Sequence, residues 1–223
     1  MAPTYVVGSR DRYPTAIAAP RISWSSRFAM SLTPSKPALR AQALARRSTT
    51  SAEAAAAFAA HLAAEGLALV ERLRPATVSV YFPLKAEPST LPLLEILGQA
   101  GVKTALPVTG RLGTPLVFRL WRPGEPTVKG KMAISEPLPE APETAPDLLF
   151  VPLAAFDRTG HRIGYGAGFY DRTLAGLRAT KNIFAVGVAY ASQEYPEVPH
   201  DAHDERLDYV LTERELIDCR VKP

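Results

Sequence analysis

Cysteine is all but absent. Cys219 is the single one in 223 residues, so the chain can build neither a disulfide framework nor a thiolate metal cluster, and its composition suits a reducing cytoplasm. Long apolar runs are missing: the alanine-rich stretch 52–73 is interrupted by Glu53, His61, Glu65, Glu71 and Arg72. That falls short of the roughly 18 apolar residues of a membrane span, so a soluble protein is expected. A basic stripe is missing too, despite a pI of about 9.3. Residues 1–47 hold eight Lys or Arg against one acid, Asp11, and leave 18 basic against 21 acidic residues in the remainder. The body of the chain is slightly acidic, and nucleic-acid binding is not expected. Zinc has little to bind: His200 and His203 lie three apart in H-D-A-H-D, but only His61 and His161 stand elsewhere.

What is present is an apolar fraction of 47%, enough for a sizeable core. Residues 1–33 lack periodicity and carry prolines among scattered Ser and Arg. They read as an extension, either an organelle transit segment or a leader ahead of a start at Met30. From 34 to 223 helices and strands alternate. Helices are expected at 37–47, with Ser35 as N-cap, and at 51–72, 90–100 and 168–177. Strands are expected at 77–82, 103–106, 116–120, 148–153, 183–189 and 209–211, with a glycine-rich turn at 110–113 and a proline-rich crossing at 136–146. Such alternation implies an α/β class: a single three-layer α/β/α domain with a mostly parallel sheet, whose ligands gather at the carboxyl ends of the strands.

Arg162 to Asp171 read R-I-G-Y-G-A-G-F-Y-D. Gly164, Gly166 and Gly168 can hold positive φ and put no side chain in a ligand's way, so the loop can turn its N–H groups toward one anion at the start of the following helix. The pattern is neither a P-loop, since residue 165 is not glycine and no Lys-Ser or Lys-Thr follows, nor G-x-G-x-x-G, since the sixth positions are Phe169 and Asp171. The plain alternative is a glycine-rich turn between a strand and a helix. Lys36 and Arg40 are four apart and would project from one helix face toward a polyphosphate, unless they belong to an ordinary solvated face. Asp171, in the first turn after the loop, and Asp204, with Asp208 beyond it, are candidates for Mg²⁺, which takes one or two carboxylates plus phosphate and water. Asp171 could equally serve the helix dipole.

The ordered segments are Lys36 with Arg40, Y-F-P-L-K-A-E ending at Glu87, A-L-P at 105–107 and I-S-E-P at 134–137. V-P-L-A-A-F-D, R-I-G-Y-G-A-G-F-Y-D-R-T-L, G-V-A-Y-A-S-Q at 187–193, and D-E-R-L-D at 204–208 follow. In these the chain resembles the 5-formyltetrahydrofolate cyclo-ligases, also called methenyltetrahydrofolate synthetases, from about Lys36 onward. The resemblance implies an ATP- and Mg²⁺-dependent closure of 5-formyltetrahydrofolate, with or without a polyglutamate tail, to 5,10-methenyltetrahydrofolate. It also implies a fold similar to the sugar-phosphate isomerase/CoA-transferase-like architecture, and a cytoplasmic monomer or weak homodimer. By resemblance Lys36, Arg40, Arg162 and the loop Gly164, Tyr165, Gly166, Ala167, Gly168, Phe169 and Tyr170 would hold ATP, Arg162 and Tyr170 would act in catalysis, and Asp171 with Asp204 would hold Mg²⁺. Glu87, Met132 and Phe169 would meet the folate. Ala167, Phe169 and Met132 depart from residues frequent in the family. A sugar-phosphate isomerase or CoA-transferase-like protein, or a non-catalytic paralogue, is the competing reading of the same architecture.

Overall fold

Two serines open the first two helices. Ser35 accepts a hydrogen bond from the Ala38 N–H at the head of α1 (Lys36–Arg47), and Ser51 accepts one from the Ala54 N–H at the head of α2 (Ala52–Leu73). Each satisfies an N–H that a helix start leaves without a partner. Pro37 sits in the first turn of α1, where its missing N–H costs nothing, and Arg46 and Arg47 sit in the last, where the helix dipole favours positive charge. The structure, a computed structural model, describes residues 34–221 together with Met1 and Thr4. The expected extension at 1–33 otherwise lies outside the described residues, and Thr33–Pro223 forms one compact unit.

Beyond α2 come β1 (Val78–Ser79), α3 (Leu91–Gln99), β2 (Thr104–Val108), β3 (Val117–Leu120), β4 (Thr127–Lys129), β5 (Ser135–Pro137) and β6 (Glu143–Thr144). Then follow β7 (Leu148–Pro152), β8 (Ala155–Phe156), β9 (Arg162–Ile163), α4 (Phe169–Arg178), β10 (Phe184–Val188), β11 (Tyr209–Leu211) and β12 (Leu216–Asp218). One eight-stranded sheet has the order β12-β11-β10-β7-β1-β2-β3-β6. Its centre, from β11 through β10, β7 and β1 to β2, is parallel, and the antiparallel pairs β11–β12, β2–β3 and β3–β6 close the edges. From β1 the chain moves one way to β2, then returns on the other side through β7, β10 and β11. The strand order therefore reverses between β1 and β7, and a crevice opens there at the carboxyl ends.

Side-chain alternation explains the three layers. Leu148, Phe150, Val186 and Val188 join the cluster that holds Phe58 and Leu62 of α2 and Leu93 and Leu97 of α3. Leu149, Val151 and Ala185 face the other way, onto Leu174 of α4. A strand covered on both faces has no polar side, which is why 148–153 reads as an unbroken apolar run. A third cluster sets Leu39 and Ala43 of α1 against Ala154, Ala155, Ile163 and Val198, so α1 rides on the β8–β9 hairpin. α2 is long and apolar enough, by length and composition, to cross a membrane. Its apolar side chains are spent on the sheet, however, while Glu65, Glu71 and Arg72 face outward, as in an amphipathic core helix.

The observed fold is the α/β/α arrangement expected from the alternation, with local differences. The strand expected at 77–82 is ladder-paired only at Val78–Ser79; the Val80 N–H still donates to the Ala105 carbonyl (3.1 Å) before the chain turns. The proline-rich crossing at 136–146 contains the end of β5 and all of β6, each too short to show an apolar period. The β8–β9 hairpin separates β7 from the glycine loop, which therefore does not leave the sheet directly.

Candidate active site

Two connections leave the strand ends beside the reversal. The one after β1 carries Tyr81, Phe82, Leu84 and Glu87, and the one after β7 carries the hairpin and the glycine loop. With α1 they enclose a cavity of about 310 Å³. Lys36, Arg40, Glu87, Arg162, the whole loop from Gly164 to Gly168, Phe169, Tyr170, Asp171 and Asp204 all line it. Residues named from distant parts of the sequence thus meet in one place. The side chain of Met132, in the 3-10 turn Lys131–Ala133, lies outside the described residues.

In the loop Gly166 (φ 96°) and Gly168 (φ 65°) occupy left-handed backbone that side chains strain to adopt, whereas Gly164 does not. A Cβ at Gly164 would meet nothing within 4 Å, so this glycine leaves free space rather than making a turn. Gly168 heads α4 without a side-chain cap, which leaves the positive end of the helix bare toward the cavity. Arg40 braces the loop from below: its Nε donates to the Gly164 carbonyl (2.7 Å), and its Nη2 lies 3.3 Å from where a Cβ on Gly166 would stand. Arg172 donates to the Ala167 carbonyl on the far side.

The carboxylates are matched to cations. Asp171 Oδ1 accepts from Arg162 Nη2 (2.7 Å) and from the Glu205 N–H (3.3 Å), while Arg162 Nη1 donates to the Glu205 carbonyl. Arg162 is only 7% exposed, so it presents positive charge to the cavity from within a finished network. Lys36 pairs with Asp204 and, at 2.6 Å, with Asp201. Burial works against its charge, but the hydrogen bonds it donates to Asp201 and Asp204 outweigh this and hold the ammonium above the ordinary lysine range. His200 lies stacked on His161, with ring centroids 3.5 Å apart. No group of three or more His, Cys, Asp or Glu side chains placed to hold a metal ion forms among the described residues.

Glu87 is 7% exposed. Its Oε2 accepts from the Leu84 N–H (2.8 Å), and its Oε1 accepts from the Tyr165 hydroxyl, which in turn accepts from Arg47 Nη1 (2.7 Å). Burial raises the Glu87 carboxyl above the usual range, and the bonds from Tyr165 and Leu84 offset this only in part. Burial, then the nearby Glu87 charge, pushes the Tyr170 hydroxyl up as well, so it stays protonated and can donate. Sequence reasoning missed Arg47, Arg172, the aromatic wall of Tyr81 and Phe82, and Leu116 and Ile134. A signal for Arg47 did exist: it follows Arg40 by seven, two helical turns along the same face.

Fold and site together define the class: an α/β protein with an anion-receptive, aromatic-walled cleft at the switch point of its sheet. The chain belongs to the 5-formyltetrahydrofolate cyclo-ligase family, whose model matches residues 32–213. It is 36% identical over 144 residues to the 5-formyltetrahydrofolate cyclo-ligase of Mycolicibacterium smegmatis, covering 61% of this chain and 73% of the relative. The Escherichia coli K12 protein of the same name is 36% identical over 141 residues, covering 61% and 77%. Among solved structures, Aquifex aeolicus 5,10-methenyltetrahydrofolate synthetase superposes with TM-score 0.71 at 28% identity, over 84% of this chain and 94% of that one. The Mycoplasma pneumoniae synthetase, at 22% identity and TM-score 0.65 over 83% and 99%, shares the fold.

Proposed function

We propose that this protein closes 5-formyltetrahydrofolate to 5,10-methenyltetrahydrofolate at the expense of ATP, releasing ADP and phosphate. One observation carries the reading: a single cavity is lined both by cations, glycine N–H groups and a bare helix start, and by a buried carboxylate with aromatic walls. The first suits a triphosphate and the second a flat heterocycle with N–H donors.

The formyl group on N5 is an amide, with a poor electrophilic carbon and a poor leaving group. Its oxygen attacks the γ-phosphorus and ADP leaves. N10 then adds to the activated carbon, loses its proton, and phosphate departs with the former formyl oxygen. Such chemistry asks the protein for alignment and charge neutralisation. Lys36, Arg40 and Arg162 supply the positive field, Gly164 to Gly168 with Ala167 the N–H cradle, and Tyr165, Phe169 and Tyr170 the frame of the reacting group. Tyr170, kept protonated, donates rather than abstracts. Glu87 accepts from the pterin edge, and Met132 belongs to the folate side.

The residues present fit Mg²⁺. Asp171 and Asp204 line the same cavity, and each is held by a cation that a phosphate could recruit instead. The metal would neutralise phosphate charge. The test is an absorbance assay: the methenyl product absorbs in the near-ultraviolet and the formyl substrate does not. A rise that needs both ATP and Mg²⁺ supports the reading, and no rise with saturating substrates sinks it. Asp171→Asn is expected to lower turnover on the order of 100-fold and to raise the Mg²⁺ concentration required. An unchanged Mg²⁺ titration removes Asp171 from the metal site.

A further inference from the structure

We propose that Arg47 is a positioning residue that acts through Tyr165 to aim the Glu87 carboxylate, so that Arg47 sets the geometry around that acid without itself lining the cavity. The proposal rests on the reading of Glu87 as the acid that meets the pterin.

Arg47 is 4% exposed and forms no ion pair with a carboxylate among the described residues. A guanidinium so deeply placed is normally matched to a carboxylate, because burying an unmatched charge is costly. Here the match is made at one remove. A guanidinium only donates, so the Tyr165 oxygen must accept from Arg47, and the single phenol proton is then committed to Glu87 Oε1. The direction of the chain is fixed as Arg47 to Tyr165 to Glu87, and it needs an acceptor at its end. Leu84 takes the other carboxylate oxygen (2.8 Å), which fixes the plane of the group.

Helix geometry explains why Arg47 can do this. Arg40 and Arg47 stand two turns apart on α1, and both grip the glycine loop, Arg40 at the Gly164 carbonyl and Arg47 at the Tyr165 hydroxyl. Leu39, just ahead of Arg40, and Ala43, between the two arginines, seat the helix on the β8–β9 hairpin that leads into the loop. Arg47 itself is not part of the cavity wall. The groups that face Glu87 are Tyr81 from the end of β1, Tyr165 from the loop, Tyr170 from α4 and Arg47 from α1; Lys85, two residues away, is exposed. Arg47 is therefore the one cation in that set, and its field lowers a carboxyl that burial raises.

The experiment is kcat/KM for 5-formyltetrahydrofolate against pH, with KM for ATP at each pH, on the full chain and its Glu87→Gln, Arg47→Met, Arg47→Lys and Tyr165→Phe variants, each checked for its Tm. In the wild type the acid limb reports ionisation of Glu87, and Glu87→Gln is expected to remove it. Arg47→Met is expected to move the limb up by about one pH unit and to raise KM for the folate about tenfold, leaving KM for ATP within about twofold. Arg47→Lys is expected to restore part of the shift. Tyr165→Phe, which changes little volume, keeps the test open if Arg47→Met does not fold, and is expected to move the limb in the same direction. Limbs that stay in place in Arg47→Met and Tyr165→Phe, while Glu87→Gln removes the limb, overturn the role of Arg47 alone. A Glu87→Gln variant with wild-type KM and an intact limb overturns the reading of Glu87 and this proposal together.

Discussion

The two ends of the parallel strands treat charge in opposite ways. At the amino ends each acid is finished. Asp147 caps the Thr77 N–H (2.9 Å) and pairs with Lys181 (2.8 Å); Asp208 caps the Ala185 N–H (2.8 Å) and pairs with Arg178 (2.9 Å). One carboxylate joins two strands and takes one cation from the end of α4 or just beyond it. At the carboxyl ends the sums do not close. Among the described residues Arg40 and Arg172 spend their hydrogen bonds on loop carbonyls and Arg47 on a phenol, and none of the three meets a carboxylate. Asp204 and Asp208, four residues apart, belong to the two different regimes. Unpaired positive charge of this kind gathers at functional sites, so the surplus suits the phosphate proposed to bind there.

The sharpest way to break this contrast is Arg162→Ala. It removes a cavity-facing cation and strands Asp171 and the Glu205 carbonyl, so turnover is expected to fall on the order of 100- to 1000-fold, with a stability loss of about 1–3 kcal/mol. Wild-type kinetics in a folded variant would remove Arg162 from the reaction. Glu87→Gln comes next, with kcat/KM for the folate expected to drop on the order of 10- to 100-fold. It also has a signature in stability. A carboxyl whose folded pKa lies above its unfolded value contributes stability below the unfolded pKa and loses it as pH rises through the folded one. The stability of the wild type relative to Glu87→Gln should therefore decline as pH rises above the ordinary carboxylate range, as read from denaturant midpoints. A difference that does not change with pH would mean that burial does not perturb Glu87.

Gly166→Ala tests the loop alone. At φ 96°, with Arg40 3.3 Å from the new methyl group, alanine must either strain the backbone by about 1–2 kcal/mol or push the loop outward. KM for ATP is expected to rise about tenfold, with a smaller change for the folate. Equal changes in both would deny the loop its preference for the phosphate end.

What could be read in the sequence, and what could not, follows the same division. Long elements with a period, such as the alanine-rich α2 or the doubly covered β7, announced themselves because many residues repeat one signal. The glycine loop did so because two of its glycines are needed for backbone reasons. Gly164 misled: nothing in a sequence separates a glycine that turns the chain from one that only clears space. The short β5, β6, β8 and β9 escaped because two or three residues cannot display a period, and their pairing is decided by partners far along the chain. Arg47 and Tyr81 escaped for a related reason. A buried arginine looks like a surface one until its partner, Tyr165, is brought to it from 118 residues away. Lys36 and Arg40 were legible as a pair, but the sequence held no sign that aspartates 201 and 204 claim the lysine while the arginine braces a carbonyl.

The smallest effect is expected at the finished end, where it serves as the control. Lys181→Met removes a half-screened partner from Asp147, whose carboxyl still caps the Thr77 N–H. Exposed and partly exposed pairs contribute little, so the loss is expected to be at most about 1 kcal/mol, a few degrees in Tm, with both KM values unchanged. Burial pushes the Asp147 carboxyl up, but the hydrogen bond from Lys181, with further help from the Thr77 N–H, holds it below the ordinary range. A depressed carboxyl contributes stability above its unfolded pKa and loses it as pH falls through the folded one. The deficit of the variant should thus be present at neutral pH and shrink below about pH 4. A change in KM for either substrate would mean that the amino end speaks to the cavity through the sheet, and the separation of the two regimes would fail.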